Sequence, residues 1–231
     1  MGAGQSKTEL FKYFSVNSVG VLNVLEAARL AEVNNIIFFS SLTVYGFDQH
    51  VDQGKKEADN FLSLHPYATS KIVGEYFIKD YTRFYKMNAV VLKPSIIVGN
   101  MEGEPNALNE FLQNTLKNEP IVIYGNGQHQ REYLSIRDLG KAVNCSVNII
   151  KELNQDGYYE DFIVSSSKPI SMEELAKLII QITGKGKIKK IEKNSKSFSL
   201  TSNTEKIRRI MDWKPNDNIE DMITQVKELL D

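Results

Sequence analysis

The chain has 231 residues, enough to bury a substantial core as one domain or as one domain with a smaller lobe. Its 28 basic and 29 acidic residues leave a net charge of -1, so no basic field invites nucleic acid or an anionic membrane. No apolar run approaches the length of a membrane span, and Glu9, Glu26 and Arg29 stand where a signal peptide would need its apolar core, so the expected compartment is the cytoplasm.

Residues 2 to 7, Gly-Ala-Gly-Gln-Ser-Lys, lack Walker spacing and a preceding strand, and read as a loop. Met1 to Ser6 also fits the permissive pattern for N-myristoylation, which nothing else in the chain supports. From Val16 to Val33, Val21, Leu22, Leu25 and Ala28 recur at helical spacing, with Glu26 and Arg29 on the other side. Ile36 to Phe39 is a short β-branched and aromatic run that predicts a strand buried on both faces. It ends at Ser40 and Ser41, which places two hydroxyls at the carboxyl end of a strand, where open α/β sheets bind ligands.

Residues 48 to 59 are polar and aperiodic and predict a surface loop. Pro66 suits the first turn of a helix, and Tyr67 and Lys71, four apart, fall on one helical face. A free phenol, with a pKa of about 10, is a poor base at neutral pH, but a neighbouring ammonium favours its ionised form. With Ser41 as hydrogen-bond donor, Tyr67 could exchange a proton with a substrate hydroxyl while a hydride leaves the same carbon. The Tyr-x-x-x-Lys spacing alone carries little weight; it gains weight from Ser-Ser-Leu-Thr-Val-Tyr-Gly upstream and from Glu75 four residues on. Val73, Tyr76, Phe77, Tyr81 and Phe84 then predict a core-facing stripe.

Ala89 to Leu92 predicts the next buried strand, Pro105 to Asn118 a helix, and Ile121 to Tyr124 a strand leading into a Gly125-Asn126-Gly127 turn. Asp138 is placed to cap a helix from Leu139 to Leu153, and Phe162 to Val164 predicts a strand that returns to the sheet. Ser171 to Glu174 is a capping box for a helix ending at Gly184, and Lys185 to Lys196 reads as a solvated loop or edge strand. A last helix runs from Ile219 to Leu230. The lone Cys145 lies in an apolar helix, as an inert buried thiol that excludes an internal disulfide. His50, His65 and His129 lack ligand spacing, so no metal is predicted.

Together these motifs resemble the extended short-chain dehydrogenase/reductase family, the NAD-dependent epimerases and dehydratases of nucleotide sugars. The resemblance runs from about Asn17 to Leu230 and rests on Ser41 before Val44-Tyr45-Gly46, on Pro66-Tyr67-x-x-Ser70-Lys71, on Gly125-x-Gly127-x-x-x-Arg131-Glu132-Tyr133 and on Asp212-Trp213-Lys214-Pro215. It implies that Ser41, Tyr67 and Lys71 are catalytic, with Tyr67 and Lys71 also meeting the cofactor, NAD or NADP. Thr43 would face the substrate and Arg131 would clasp its diphosphate, as a planar forked cation suits phosphate oxygens.

The pattern departs from the family at Lys93, where arginine is usual, and at Ile96, Val98, Asn100, Glu132 and Asp212. The family's Gly-x-x-Gly-x-x-Gly turn is absent from the chain, and against the resemblance two or three βα units of roughly thirty residues are missing. The expected fold is therefore α/β, an incomplete Rossmann-like doubly wound parallel sheet with a smaller C-terminal substrate-binding lobe. Residues 1–100 and 138–168 would form the first part, and residues 101–137 and 169–231 the lobe. The expected partners are a nucleotide-sugar substrate and a second copy, paired through the helices at residues 16 to 33 and 66 to 86. The alternative is a truncated noncatalytic sugar-nucleotide-binding or assembly module. A third reading, an NADPH-dependent reductase of a small carbonyl compound, sits poorly with Arg131.

Overall fold

Three parallel strands carry the site, in the order β1 (Asn35–Phe39), β2 (Asn88–Pro94) and β7 (Tyr159–Val164). The computed structural model describes residues 9–47, 54–63, 65–99, 106–192 and 198–230. The loop expected at residues 2 to 7, residues 48 to 53 of the polar stretch 48 to 59 and the acceptor pattern at the N-terminus lie outside them. Alternation along β2 sets the layers: Ala89 and Val91 face α2 (Gly20–Leu30) and α3 (Pro66–Tyr85) through Leu25, Ile78 and Tyr81. Val90 and Leu92 face α5 (Ile136–Glu152) and α7 (Glu205–Met211) through Leu139, Ala142 and Ile207. Helices on both faces of a parallel sheet make this the doubly wound α/β arrangement expected from the sequence.

A second core forms from α4 (Ala107–Leu116), β4 (Ile121–Tyr124), α6 (Met172–Thr183) and α8 (Ile219–Leu230), where Leu108, Phe111, Leu112, Ile121, Leu175, Ile179 and Ile223 meet. β4 pairs in parallel with β9 (Ile188–Ile191), so the basic stretch after Gly184 contributes a strand. Short ladders join β3 (Ile96–Val98) to β6 (Tyr133–Ser135) and β5 (Gln130–Arg131) to β8 (Ile170–Ser171). The capping box of α6 forms as read, with Ser171 and Glu174 exchanging hydrogen bonds, and Gly184 ends the helix at φ +70°.

Several expectations need correction. β2 is buried along its whole length, but Ile36, Ile37 and Phe38 of β1 are only half-buried and Phe39 is 39% exposed. Among the described residues β1 pairs on one side only, so its apolar composition marks a strand with an uncovered edge. The helix read from residue 16 is interrupted: α1 (Glu9–Phe14) passes through one π turn, Ser15–Val19, before α2. That turn lies against Gly74 of α3, where a Cβ would stand 3.0 Å from the Asn17 carbonyl oxygen. The aromatic stripe of α3 divides, Tyr81 and Phe77 packing inward while Tyr76 and Phe84 are exposed, because no described element covers the outer side of the helix.

Asp138 does not cap α5. Ser135 does, its Oγ accepting from the Asp138 amide at 3.0 Å, while the Asp138 carboxylate accepts from the amides of Asn216 and Asp217 at 2.9 and 3.0 Å. A side chain read as local is thus spent on a segment almost eighty positions away. Cys145 is half-buried, and burial pushes its thiol above the ordinary range. Asp212, where the resemblance has glycine, ends α7 in the left-handed region at φ +49°.

Candidate active site

The site begins where β1 stops. Ser40 continues the ladder, its amide donating to the Leu92 carbonyl at 2.8 Å. Ser41 is extended and caps a single 3-10 turn, Leu42–Tyr45; its Oγ accepts from the Thr43 amide at 3.3 Å and lies 2.8 Å from the Thr43 Oγ1. Leu42, Val44 and Tyr45 are buried, which leaves the hydroxyls of Ser41 and Thr43 together on the other side of the turn. Gly46 closes it at φ +69°, where a Cβ would meet the Leu62 carbonyl oxygen at 2.9 Å.

α3 opens with Pro66 in its first turn, as expected, but its cap is His65, whose Nδ1 accepts from the Tyr67 amide at 3.2 Å. Lys71 lies one turn beyond Tyr67, with its Nζ 5.9 Å from the centre of the Tyr67 ring and 5.3 Å from that of Phe38. The same ammonium donates to the Phe39 carbonyl at 2.8 Å, two residues before Ser41. Burial pulls Lys71 below the ordinary lysine range, and the carboxylate of Glu75 partly offsets this. Tyr13 of α1 meets the Tyr67 ring edge-on at 5.8 Å, a contact that no sequence spacing announces. The structure thus gathers Tyr67 and Lys71 on one helical face at the end of β1, beside the turn bearing Ser41 and Thr43.

Arg131 approaches from the other core. It lies on β5, its Nη1 donates to the carbonyls of Gln130 and Phe198 at 2.8 and 2.7 Å, and its guanidinium lies 5.0 Å from the centre of the Phe47 ring. Phe47 follows Gly46, so Arg131 stands against the far end of the turn. Burial lowers its pKa from the ordinary arginine value. Next to it, Glu132 is buried and accepts from Ser165 Oγ at 2.5 Å and from the Ser202 amide at 3.1 Å, which joins the strand of Arg131 to two later loops.

Sequence reasoning missed the group beneath the turn. Lys93 is fully buried; its Nζ donates to Tyr45 Oη at 2.8 Å and to the Asp161 carboxylate, and lies 3.3 Å from Glu75 Oε2. Ser40 Oγ donates to the other oxygen of Glu75. The available signal was a lysine inside a strand otherwise built for burial on both faces, since such a charge needs partners.

A dinucleotide has two ends to satisfy. The ammonium of Lys71 and the phenol of Tyr67 at the end of a parallel strand suit the sugar and ring next to the reacting carbon. For the pyrophosphate, no helix among the described residues starts with a glycine-rich turn after a parallel strand. Among the same residues no three His, Cys, Asp or Glu side chains are grouped to hold a metal ion, and no helix is long and apolar enough to cross a membrane.

Comparison with known proteins places these features. Residues 2–162 match the model of the NAD dependent epimerase/dehydratase family. A putative UDP-glucose 4-epimerase of Methanocaldococcus jannaschii is 28% identical over 216 residues, covering 88% of this chain and 70% of that protein. The UDP-glucose 4-epimerase of Yersinia enterocolitica is 28% identical over 200 residues, covering 79% of this chain but 58% of its own length. The chain therefore spans about two thirds of such relatives. Among solved structures, MoeE5 in complex with UDP-glucose and NAD superposes on all of this chain and on 77% of its own, with a TM-score of 0.86 at 18% identity. The Thermotoga maritima UDP-glucose 4-epimerase with UDP-glucose covers 97% of this chain and 73% of its own, with a TM-score of 0.81 at 22% identity.

Proposed function

This chain belongs to the NAD-dependent epimerase/dehydratase family, and from that premise we propose that it acts on a nucleotide sugar, at a carbon bearing a sugar hydroxyl, with Ser41, Tyr67 and Lys71 as the reacting group. The observation that carries the reading is the seat of the Lys71 ammonium, 5.9 Å from the Tyr67 ring and bonded to the last carbonyl of β1. A positive charge there favours the phenolate of Tyr67, whose oxygen can take the hydroxyl proton of the sugar and later return it. Ser41 and Thr43 offer hydroxyls that hold the sugar oxygen in line, and Arg131 is placed to grip the diphosphate. NAD, when bound, supplies the acceptor and donor of the hydride; Tyr67 and Lys71 are the residues of this chain that would meet it.

The relatives named for UDP-glucose direct the first test to that ligand. In calorimetry the chain is expected to bind UDP-glucose saturably, and Arg131→Ala is expected to weaken that binding at least about tenfold, the loss of one charge-assisted contact. No binding by the unaltered chain would reject the nucleotide-sugar reading.

A second reading has its own support in the one-sided pairing of β1 and the lack of a pyrophosphate turn among the described residues. On it the chain is a sugar-nucleotide-binding module that needs further polypeptide to hold NAD. Titration with NAD separates the two, since binding by the chain alone favours the enzyme. We further propose that copies pair through the outer faces of α2 and α3, where Val24, Tyr76 and Phe84 are exposed. Light scattering that gives a monomer mass at micromolar concentration would reject the pairing.

A further inference from the structure

We infer that Lys93 is a positioning residue for the active site: one buried ammonium fixes both ends of the Ser40–Tyr45 segment and sets the charge on the carboxylate beside Lys71. The inference deepens the proposed role of Ser41 and Lys71 and rests on it. At the exit of the segment the link is direct, Lys93 Nζ to Tyr45 Oη at 2.8 Å. At the entry it passes through Glu75, which accepts from Ser40 Oγ on one oxygen and lies 3.3 Å from Lys93 on the other. The turn bearing Ser41 and Thr43 is therefore strung between two anchors on a single charge.

Glu75 also follows Lys71 by one turn of α3, so one carboxylate faces two lysines. Lys93 and Glu75 are both fully excluded from solvent. The rest of the surroundings is contributed by every neighbouring element. β7 brings Asp161 and the Tyr159 hydroxyl, which has no hydrogen-bond partner among the described residues. α7 brings Lys206, 2.9 Å from Asp161 Oδ1, and the turn brings the Tyr45 ring, 5.0 Å from Lys93 Nζ. Asp161 keeps Lys206 as an ion-pair partner if Lys93 is removed, whereas Lys93 is the one cation in ion-pair contact with Glu75 among the described residues, and Lys71 acts on it only through space. A buried carboxylate without its cation takes up a proton. Burial already pushes Glu75 above the ordinary glutamate range, with Lys93 acting against it. Lys71 would then lose the negative charge that supports its ammonium.

This separates positioning from plain structural support. A residue that only stabilised the fold would, on removal, loosen the sheet as a whole and leave the titration of Lys71 where it was.

The test uses the 231-residue chain and needs no substrate, so it stands apart from the nucleotide-sugar reading. Hydrogen exchange is followed at the Val44 and Gly46 amides, which close the turn on Ser41 and Thr43, and the pH profile of Lys71 acylation is followed by mass spectrometry. In Lys93→Met the two amides are expected to exchange about tenfold faster or more relative to those of β2, and the Lys71 profile to move to lower pH. Lys93→Arg, which keeps a donor cation, is expected to hold the Lys71 profile at its original position. Tyr45→Phe removes only the exit anchor, so faster exchange at the same two amides with an unmoved Lys71 profile is expected. If Lys93→Met does not fold, the other two variants decide. The inference is overturned if exchange rises evenly across the sheet in step with lost thermal stability, if the Lys71 profile stays fixed in Lys93→Met or shifts in Lys93→Arg, or if Tyr45→Phe leaves the turn unchanged.

Discussion

The two strands of one pair behave as opposites. β2 is shut off from water along all seven residues and carries a lysine at its carboxyl end, held by two carboxylates and a phenol. β1, its immediate neighbour, has the more apolar sequence and is the less buried of the two, with a groove of about 310 Å³ along its outer side lined by Val16, Val21, Val24, Ile36 and Phe38. Burial here follows from neighbours rather than from composition. The inner strand has one on each side and can satisfy a charge, while among the described residues the outer strand leaves hydrocarbon and backbone groups uncovered.

The contrast breaks first at Lys93. Lys93→Met is expected to cost about 3–5 kcal/mol in denaturant unfolding, because it takes from buried Glu75 the cation that pairs with it; a loss below about 1 kcal/mol would mean that the buried ions contribute little. Removing Asp138, another buried carboxylate, should cost somewhat less, since Asp138→Ala leaves the amides of Asn216 and Asp217 without an acceptor, about 1.5–3 kcal/mol. Burial raises the Asp138 carboxyl, but those amides and Lys141 outweigh it and hold the folded pKa below the unfolded one. Its contribution is therefore complete above the ordinary aspartate value and fades as pH falls through the folded one. The Asp138→Ala variant should accordingly lose less stability on acidification than the unaltered chain, as followed by circular dichroism.

Between the two regions lies the turn. Gly46→Ala is expected to cost about 1–3 kcal/mol, as alanine takes that backbone conformation only with strain and would meet Leu62. Smallest is the effect at the open rim, where Val24→Glu should change stability by no more than about 0.5 kcal/mol in the monomer. A larger loss there would show that something covers Val24 in solution.

The placing of Ser41, Tyr67 and Lys71 near one another was legible because its logic is short-range. Ser41 closes a strand, Pro66 opens a helix, and four residues separate Tyr67 from Lys71. The capping box at Ser171 and the turn glycines at 125 and 127 were legible for the same reason. Lys93 could be noticed as a departure but not explained, since Glu75 lies eighteen positions before it and Asp161 sixty-eight after. Asp138 was misread because its carboxylate accepts from the segment after Trp213 and from the Lys141 side chain, and not from the amides that open its own helix. The open edge of β1 was hidden by the same apolar residues that announced a strand. Sequence pattern states what a strand can bury, and only the tertiary arrangement states what covers it.

On the proposed function, Tyr67 is the group that meets the sugar hydroxyl. The most direct measurement is 13C NMR of the tyrosine ring carbons in the 231-residue chain during titration with UDP-glucose, with the Tyr67 signal assigned through Tyr67→Phe. The Tyr67 Cζ resonance is expected to shift and saturate with the ligand while that of Tyr124, exposed on β4, stays in place. Saturable binding that leaves Tyr67 unmoved would contradict it.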